Sequence, residues 1–171
     1  SSASAVFDNI TKRAITDEEI SHFDNVLQGI DWGFSPDPFS YGKMHYDAGG
    51  RKLYIFDEYR QWRQSNQDTY DYLVKEKGYK NHQLIIADSN DSKSVGDYRN
   101  YGANCRAAEK KPESRKYSYK WLQSLKEIVI DEVRCPYHVK EFTEAEHPRA
   151  NDGEIISEYP DKNDHAIDDT R

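Results

Sequence analysis

The sequence predicts one α/β domain: a mixed β-sheet of antiparallel hairpin strands and parallel strands, flanked by helices. Three observations predict it. Two alternating runs, "FSYGKMHYD" and "KLYIFDEY", meet at the turn "DAGGR" (47–51), as a hairpin does. Further on, short apolar runs alternate with helical segments, the pattern of strands linked by crossover helices. A length of 171 residues without internal repeats supports one well-buried core.

Taken in order, residues 1–24 are expected to be a linker or N-terminal extension, with Ser1 to Ala5 the most linker-like. Within it, Thr16 followed by Glu19 has the spacing of a capping box and predicts one short helix. The domain proper is expected over 25–171. "VLQGIDWG" (26–33) reads as an apolar strand ending in an aspartate, and the hairpin follows. Ser65 to Lys77 reads as a helix with Tyr70, Leu73 and Val74 on one face and Gly78 as its stop. "HQLIIAD" (82–88) is a buried strand that again ends in an aspartate. A helix over Ser92 to Tyr101, a strand near Asn104 to Ala108, a helix near Ser118 to Leu125, the strand "EIVID" and a helix from Pro136 to about Ala145 complete the alternation. "NDG" within "EHPRANDGEIISEYP" predicts a hairpin over 147–159, and a closing helix carries "NDHAIDD".

Composition narrows the function. Hydrophobic residues are only 36% of the chain, yet 13% are aromatic and the apolar residues cluster, so the chain reads as globular. Its longest apolar runs are far below the roughly 18 residues that cross a bilayer, which predicts a soluble intracellular protein with no membrane partner. The formal charge of -7 argues against a general nucleic-acid coat. Cys105 and Cys135 lack a second ligand pair at zinc spacing and read as buried free thiols.

The carboxylates carry the chemistry. Asp31 and Asp88 end strands, where α/β sheets usually hold ligands, although an aspartate there also serves as a helix cap or turn former. In the closing segment, Asp164 and Asp168 are four apart and His165 and Asp168 three apart, so they share a helix face. That run reads equally as a solvated helix terminus. Brought against Asp31 and Asp88, its charges would need a counter-charge, and carboxylate oxygens without thiolates favour a hard cation, Mg2+ or Mn2+.

"GIDWGFSPDP", "LYIFDEY", "IIADSNDSKSVGDYRNYG" and "NDHAIDDTR", in that order, resemble the C-terminal nuclease domain of tailed-bacteriophage terminase large subunits, most closely the group from phages of Gram-positive bacteria. The resemblance spans Gly29 to Arg171 and lies in the order of the motifs. It implies an RNase H-like fold, with Asp31, Asp88 and Asp168 as catalytic metal ligands and His165 as a further catalytic residue. Glu58 matches an acidic position near the family's site, and Glu58 and Asp164 are the supporting candidates. The chain departs from the family where Asp169 and Thr170 replace a small and an apolar residue.

The implied function is a metal-dependent endonuclease that cuts concatemeric double-stranded viral DNA at the start and end of genome packaging with little sequence specificity. Two metal ions would serve the hydrolysis. No G-x-x-x-x-G-K-[ST] motif occurs in these residues, so the family's N-terminal ATPase motor is expected elsewhere in the same polypeptide. The small terminase subunit and the portal protein are the implied partners, in host cytoplasm at the procapsid portal. For holding DNA, Arg106, Lys110, Lys111, Arg115, Lys116 and Lys120 are the candidates, interleaved with Tyr117, Tyr119 and Trp121; an ordinary solvated loop and helix start is the competing reading. Arg60 and Arg63 around Trp62 form a smaller second patch. Rival functions are another RNase H-like nuclease, such as a junction resolvase or transposase core, and a non-catalytic module that docks DNA or portal.

Overall fold

The computed structural model describes residues 4–88, 91–108 and 114–147, with backbone alone over 114–117. Among the described residues seven strands form one sheet in the order β1-β7-β4-β3-β2-β5-β6. They are β1 (Ile10–Lys12), β2 (Val26–Asp31), β3 (Phe39–Asp47), β4 (Lys52–Gln61), β5 (Leu84–Ala87), β6 (Asn104–Ala107) and β7 (Glu127–Ile130). Only β3 runs against the rest: β2–β3 and β3–β4 are antiparallel, while β1–β7, β4–β7, β2–β5 and β5–β6 are parallel. Six strands therefore end at one edge, where ligands of such sheets gather.

The helices are α1 (Asp17–Ser21), α2 (Asn66–Lys77), α3 (Ser92–Asn100), α4 (Ser114–Ser124) and α5 (Pro136–Glu144). Their starts follow local chemistry. Thr16 accepts a hydrogen bond from Glu19 N, Ser65 from Asp68 N and Asp91 from Ser94 N, each meeting a donor that the first helical turn leaves unpaired. Gly78 stops α2 with φ of 69°, a left-handed conformation that glycine adopts without a Cβ penalty. On α2 the buried face is Thr69, Tyr70 and Leu73, and Val74 is exposed instead of joining it.

Both faces of the sheet are covered, by different helices. Ile30, Tyr41, Ile85, Ala87 and Cys105 pack against Leu73, Val95 and Tyr98 of α2 and α3. On the other face Met44, Leu53, Ile55, Ile128 and Ile130 pack against Tyr119, Leu122 and Phe142 of α4 and α5. Burial of side chains this large contributes roughly 1.5–3 kcal/mol each. Both cysteines are free and buried, and burial raises the Cys105 thiol pKa to about 11, so it stays protonated and inert.

A β-bulge divides β4. Lys43 pairs with Asp57 and Met44 with Ile55, so Phe56 has no partner in the ladder. Leu53 and Ile55 lie on the α4/α5 face before the bulge, and Glu58 and Arg60 lie on that same face after it.

The expected boundary at residues 24 and 25 does not exist as a break in the fold. β1 pairs with β7, Val6 and Phe7 are buried in the α4/α5 core, and Ala5 bridges Glu146. A three-residue parallel edge strand has no turn chemistry and too little periodicity to show in the sequence, because its partner lies more than a hundred residues away. The helix expected near Ser118 begins at Ser114. The expected hairpin over 147–159 and the closing helix lie outside the described residues, apart from His147, whose N–H donates to Ser4 O.

Candidate metal and nucleic-acid site

Asp31 and Asp88 are brought together by the central parallel pair. β2 and β5 are in register at Gly29–Ile86 and Ile30–Ala87, and Asp88 N donates to Ile30 O at 2.9 Å. The next step along both strands is Asp31 beside Asp88, on one face of the sheet. The same face carries Gly29, paired with Gly42 of β3, so the sheet there bears no side chain between Ile86 and Glu58. Like charges at neighbouring positions repel, which a cation relieves. The donors are hard oxygens, whereas both thiols are buried in the cores, so the set fits Mg2+ or Mn2+ better than a soft metal. Among the described residues no cluster of three or more His, Cys, Asp or Glu side chains is arranged to hold a metal.

Glu58 is on the Asp31 face but engaged elsewhere. Its Oε2 accepts from Tyr137 N at 3.0 Å, and its Oε1 accepts from His138 N at 2.9 Å and lies 2.8 Å from His138 Nδ1. It thus serves as the anionic cap of α5, whose own N-cap, Cys135, makes no side-chain cap bond. Burial opposes its ionisation, but the hydrogen bonds and charge of His138 and the two backbone N–H groups outweigh burial and hold its pKa below the ordinary value of 4.5. One turn along, Glu141 is paired with Arg60, whose guanidinium lies 4.4 Å over the Tyr137 ring. Sequence reading passed over His138 and Glu141. Their signal is the i, i+3 spacing of two polar residues on an otherwise apolar helix face, opposite Glu58 and Arg60 at i, i+2 on a strand.

A third strand-end aspartate was also overlooked. Asp131 follows β7 and is buried; its Oδ2 accepts from Ile15 N at 2.8 Å, and its Oδ1 from Val133 N at 2.9 Å and Arg134 N at 3.0 Å. Burial works against its charge, yet these backbone donors lower its pKa below the ordinary 3.8.

The expected DNA-holding residues divide. Arg106 pairs with Ile86, which puts it on the Asp31 face, and it is exposed; Lys120 is exposed on α4. Lys110 and Lys111 lie outside the described residues, and Arg115 and Lys116 are described by backbone alone. Tyr119 does not belong to an aromatic DNA platform: it is fully buried, stacked on Phe7 at 5.9 Å between ring centres. Of the second patch, Arg63 is exposed, but Arg60 is drawn into the Glu141 pair. Asp164, His165, Asp168 and Asp169 lie outside the described residues.

A mixed sheet with helices on both faces and two aspartates at its central carboxyl edge defines an RNase H-like α/β protein. Residues 31–170 match the model of the terminase RNase H-like domain, and the chain belongs to that family. Over 164 residues it is 36% identical to the terminase large subunit of Bacillus phage SPP1; the match takes in 95% of the chain and 38% of the relative, so the chain spans well under half of that protein. Among solved structures it is similar to the SPP1 large terminase nuclease domain with bound Mn, at 33% identity and a TM-score of 0.88, covering 96% of this chain and 94% of that one. The P22 large terminase nuclease domain shares the fold at 15% identity, with a TM-score of 0.68 and coverage of 98% and 89%.

Proposed function

We propose that the chain is a metal-dependent endodeoxyribonuclease, the DNA-cutting domain of a phage packaging terminase. The observation that carries this reading is the Asp31–Asp88 pair, set side by side at the carboxyl edge of a chain 33% identical to a nuclease domain that holds Mn. Asp31 and Asp88 would ligate Mg2+ or Mn2+, with Asp168 as the third carboxylate, His165 as a proton-handling group beside it and Asp164 in support. Two divalent ions in such a site lower the pKa of the attacking water and offset charge on the leaving oxygen of the phosphodiester.

The chain's own contribution is placement. The β2–β5 ladder fixes the roots of two carboxylates, and α5, held by Glu58 and by the Arg60–Glu141 pair, walls the same face. Glu58 therefore supports the site through α5. Arg106, with Lys110, Lys111, Arg115, Lys116 and Lys120, would pair DNA phosphates, giving strong salt dependence and little sequence preference. In the virus-infected cell the substrate would be concatemeric DNA in the cytoplasm at the portal. The ATPase motor, the small subunit and the portal would be its partners.

Plasmid nicking in Mn2+, with an EDTA control, tests the reading. Wild type should cut and Asp31→Ala should not; equal cutting by both would remove Asp31 from the site, and no cutting by wild type would favour a docking module. A four-way junction cut in preference to plasmid would point to a resolvase.

A further inference from the structure

We propose that a cleft beside the cutting edge receives an unpaired nucleobase of the DNA; this rests on the nuclease reading above. The cleft has a volume of about 520 Å³ and lies over the edge from Asp31, where the loop after β2 meets the starts of α2 and α3. Trp32 and Phe34 come from that loop and Tyr101 from the end of α3. Phe34 lines the cleft and is 57% exposed, so its ring is accessible to a ligand there. The loop is pinned in place: Trp62 Nε1 donates to Pro36 O at 3.0 Å and Arg63 N to Phe34 O at 2.8 Å.

The polar lining selects the ligand. Gln64 Oε1 accepts from Tyr59 Oη at 2.6 Å, which leaves its amide N–H groups, and Gln67 Nε2 donates to Asp71 at 2.8 Å, which leaves its amide oxygen. The amide donors of Gln64 and the amide acceptor of Gln67, in a cleft also lined by Trp32, Phe34 and Tyr101, suit the edge of a nucleobase, whose faces stack on aromatic rings whatever its identity. Charge excludes the phosphate as the occupant. Asp91 and Asp97 both line the cleft, and its one lysine, Lys93, is paired with Asp97 at 3.0 Å. The remaining acidic character repels an anion but accepts hydrogen bonds from the exocyclic amines of cytosine, adenine or guanine. A cleft of this size, with three aromatic rings beside hydrogen-bonding side chains, has room for a nucleotide-sized unit.

Fluorescence anisotropy on the 171-residue chain in EDTA, comparing a blunt duplex with the same duplex bearing a short single-stranded tail, tests this. The tailed duplex should bind about fivefold tighter or more, as one stacked base provides. That advantage should vanish for Phe34→Ala, and also for wild type with an abasic tail, while blunt-duplex affinity stays unchanged. A tail advantage that survives in Phe34→Ala, or on the abasic tail, overturns the cleft, as does the lack of any advantage in wild type. The readout is binding without metal, so loss of plasmid cutting, which would remove the nuclease reading, is scored separately.

Discussion

Asp131 and the Asp31–Asp88 pair end strands on the same edge of one sheet, yet their surroundings are opposite. Asp131 is enclosed, with its oxygens bonded to three backbone N–H groups that belong to a turn and to the residue before Thr16. Asp31 and Asp88 instead follow the last paired positions of a parallel ladder, side by side on one face. The first arrangement encloses one carboxylate among backbone donors; the second places two carboxylates at neighbouring positions of one face. A strand-end aspartate held by backbone donors, such as Asp131, is thus structural, and position in the strand alone does not mark a site.

The largest effect that separates the two regions should be on cutting. Asp31→Ala should bring plasmid nicking in Mn2+ to background while the fold stays intact. Asp131→Ala should do the reverse, destabilising by about 2–4 kcal/mol in urea titrations because buried N–H groups lose their acceptor; a small loss would show that water replaces it. Glu58→Gln, which keeps shape and one acceptor, should destabilise by roughly 1–3 kcal/mol. If its cutting falls far more than its stability does, Glu58 acts on the site directly and not through α5.

Manganese sharpens the contrast further. At a hundred times its Kd a ligand that binds only the folded state adds about 2.7 kcal/mol, visible as a rise in Tm of several degrees. Wild type should show that rise, Asp31→Ala and Asp88→Ala should not, and Asp131→Asn should keep it. The smallest effect is on pH. Asp131 and Glu58 are both held below their ordinary pKa values of 3.8 and 4.5. Their contribution is therefore present above those values and is lost as pH falls through the lower folded values. Urea midpoints should decline below about pH 4.5, and the decline should flatten in a Glu58→Gln, Asp131→Asn double variant.

What the sequence disclosed followed from local chemistry. The cap at Thr16, the helix from about Ser65 with its stop at Gly78, the 47–51 turn and the strands around Ile30 and Ile85 are each decided within a few residues and formed where expected, although Leu84, on a strand expected to be buried, is 43% exposed. The Asp31–Asp88 pairing was legible because both end apolar strands. What stayed hidden depends on partners distant in sequence. Neither β1, nor the Glu58 cap on α5, nor the burial of Arg60 and Tyr119 can be inferred from neighbours, because each is set by packing across 80 residues or more.

The unpaired Phe56 has a mechanical meaning for this edge. Side chains alternate along a strand, so one surplus residue exchanges the two sides for everything beyond it. Were Phe56 taken into the ladder opposite Lys43, with no bulge, Glu58 would move opposite Tyr41; Glu58 and Arg60 would turn toward α2, α5 would lose its anchor and Tyr59 would enter the α5 interface. The orientation of the whole outer half of the strand, and with it the wall of the cutting face, is geared to one supernumerary amino acid.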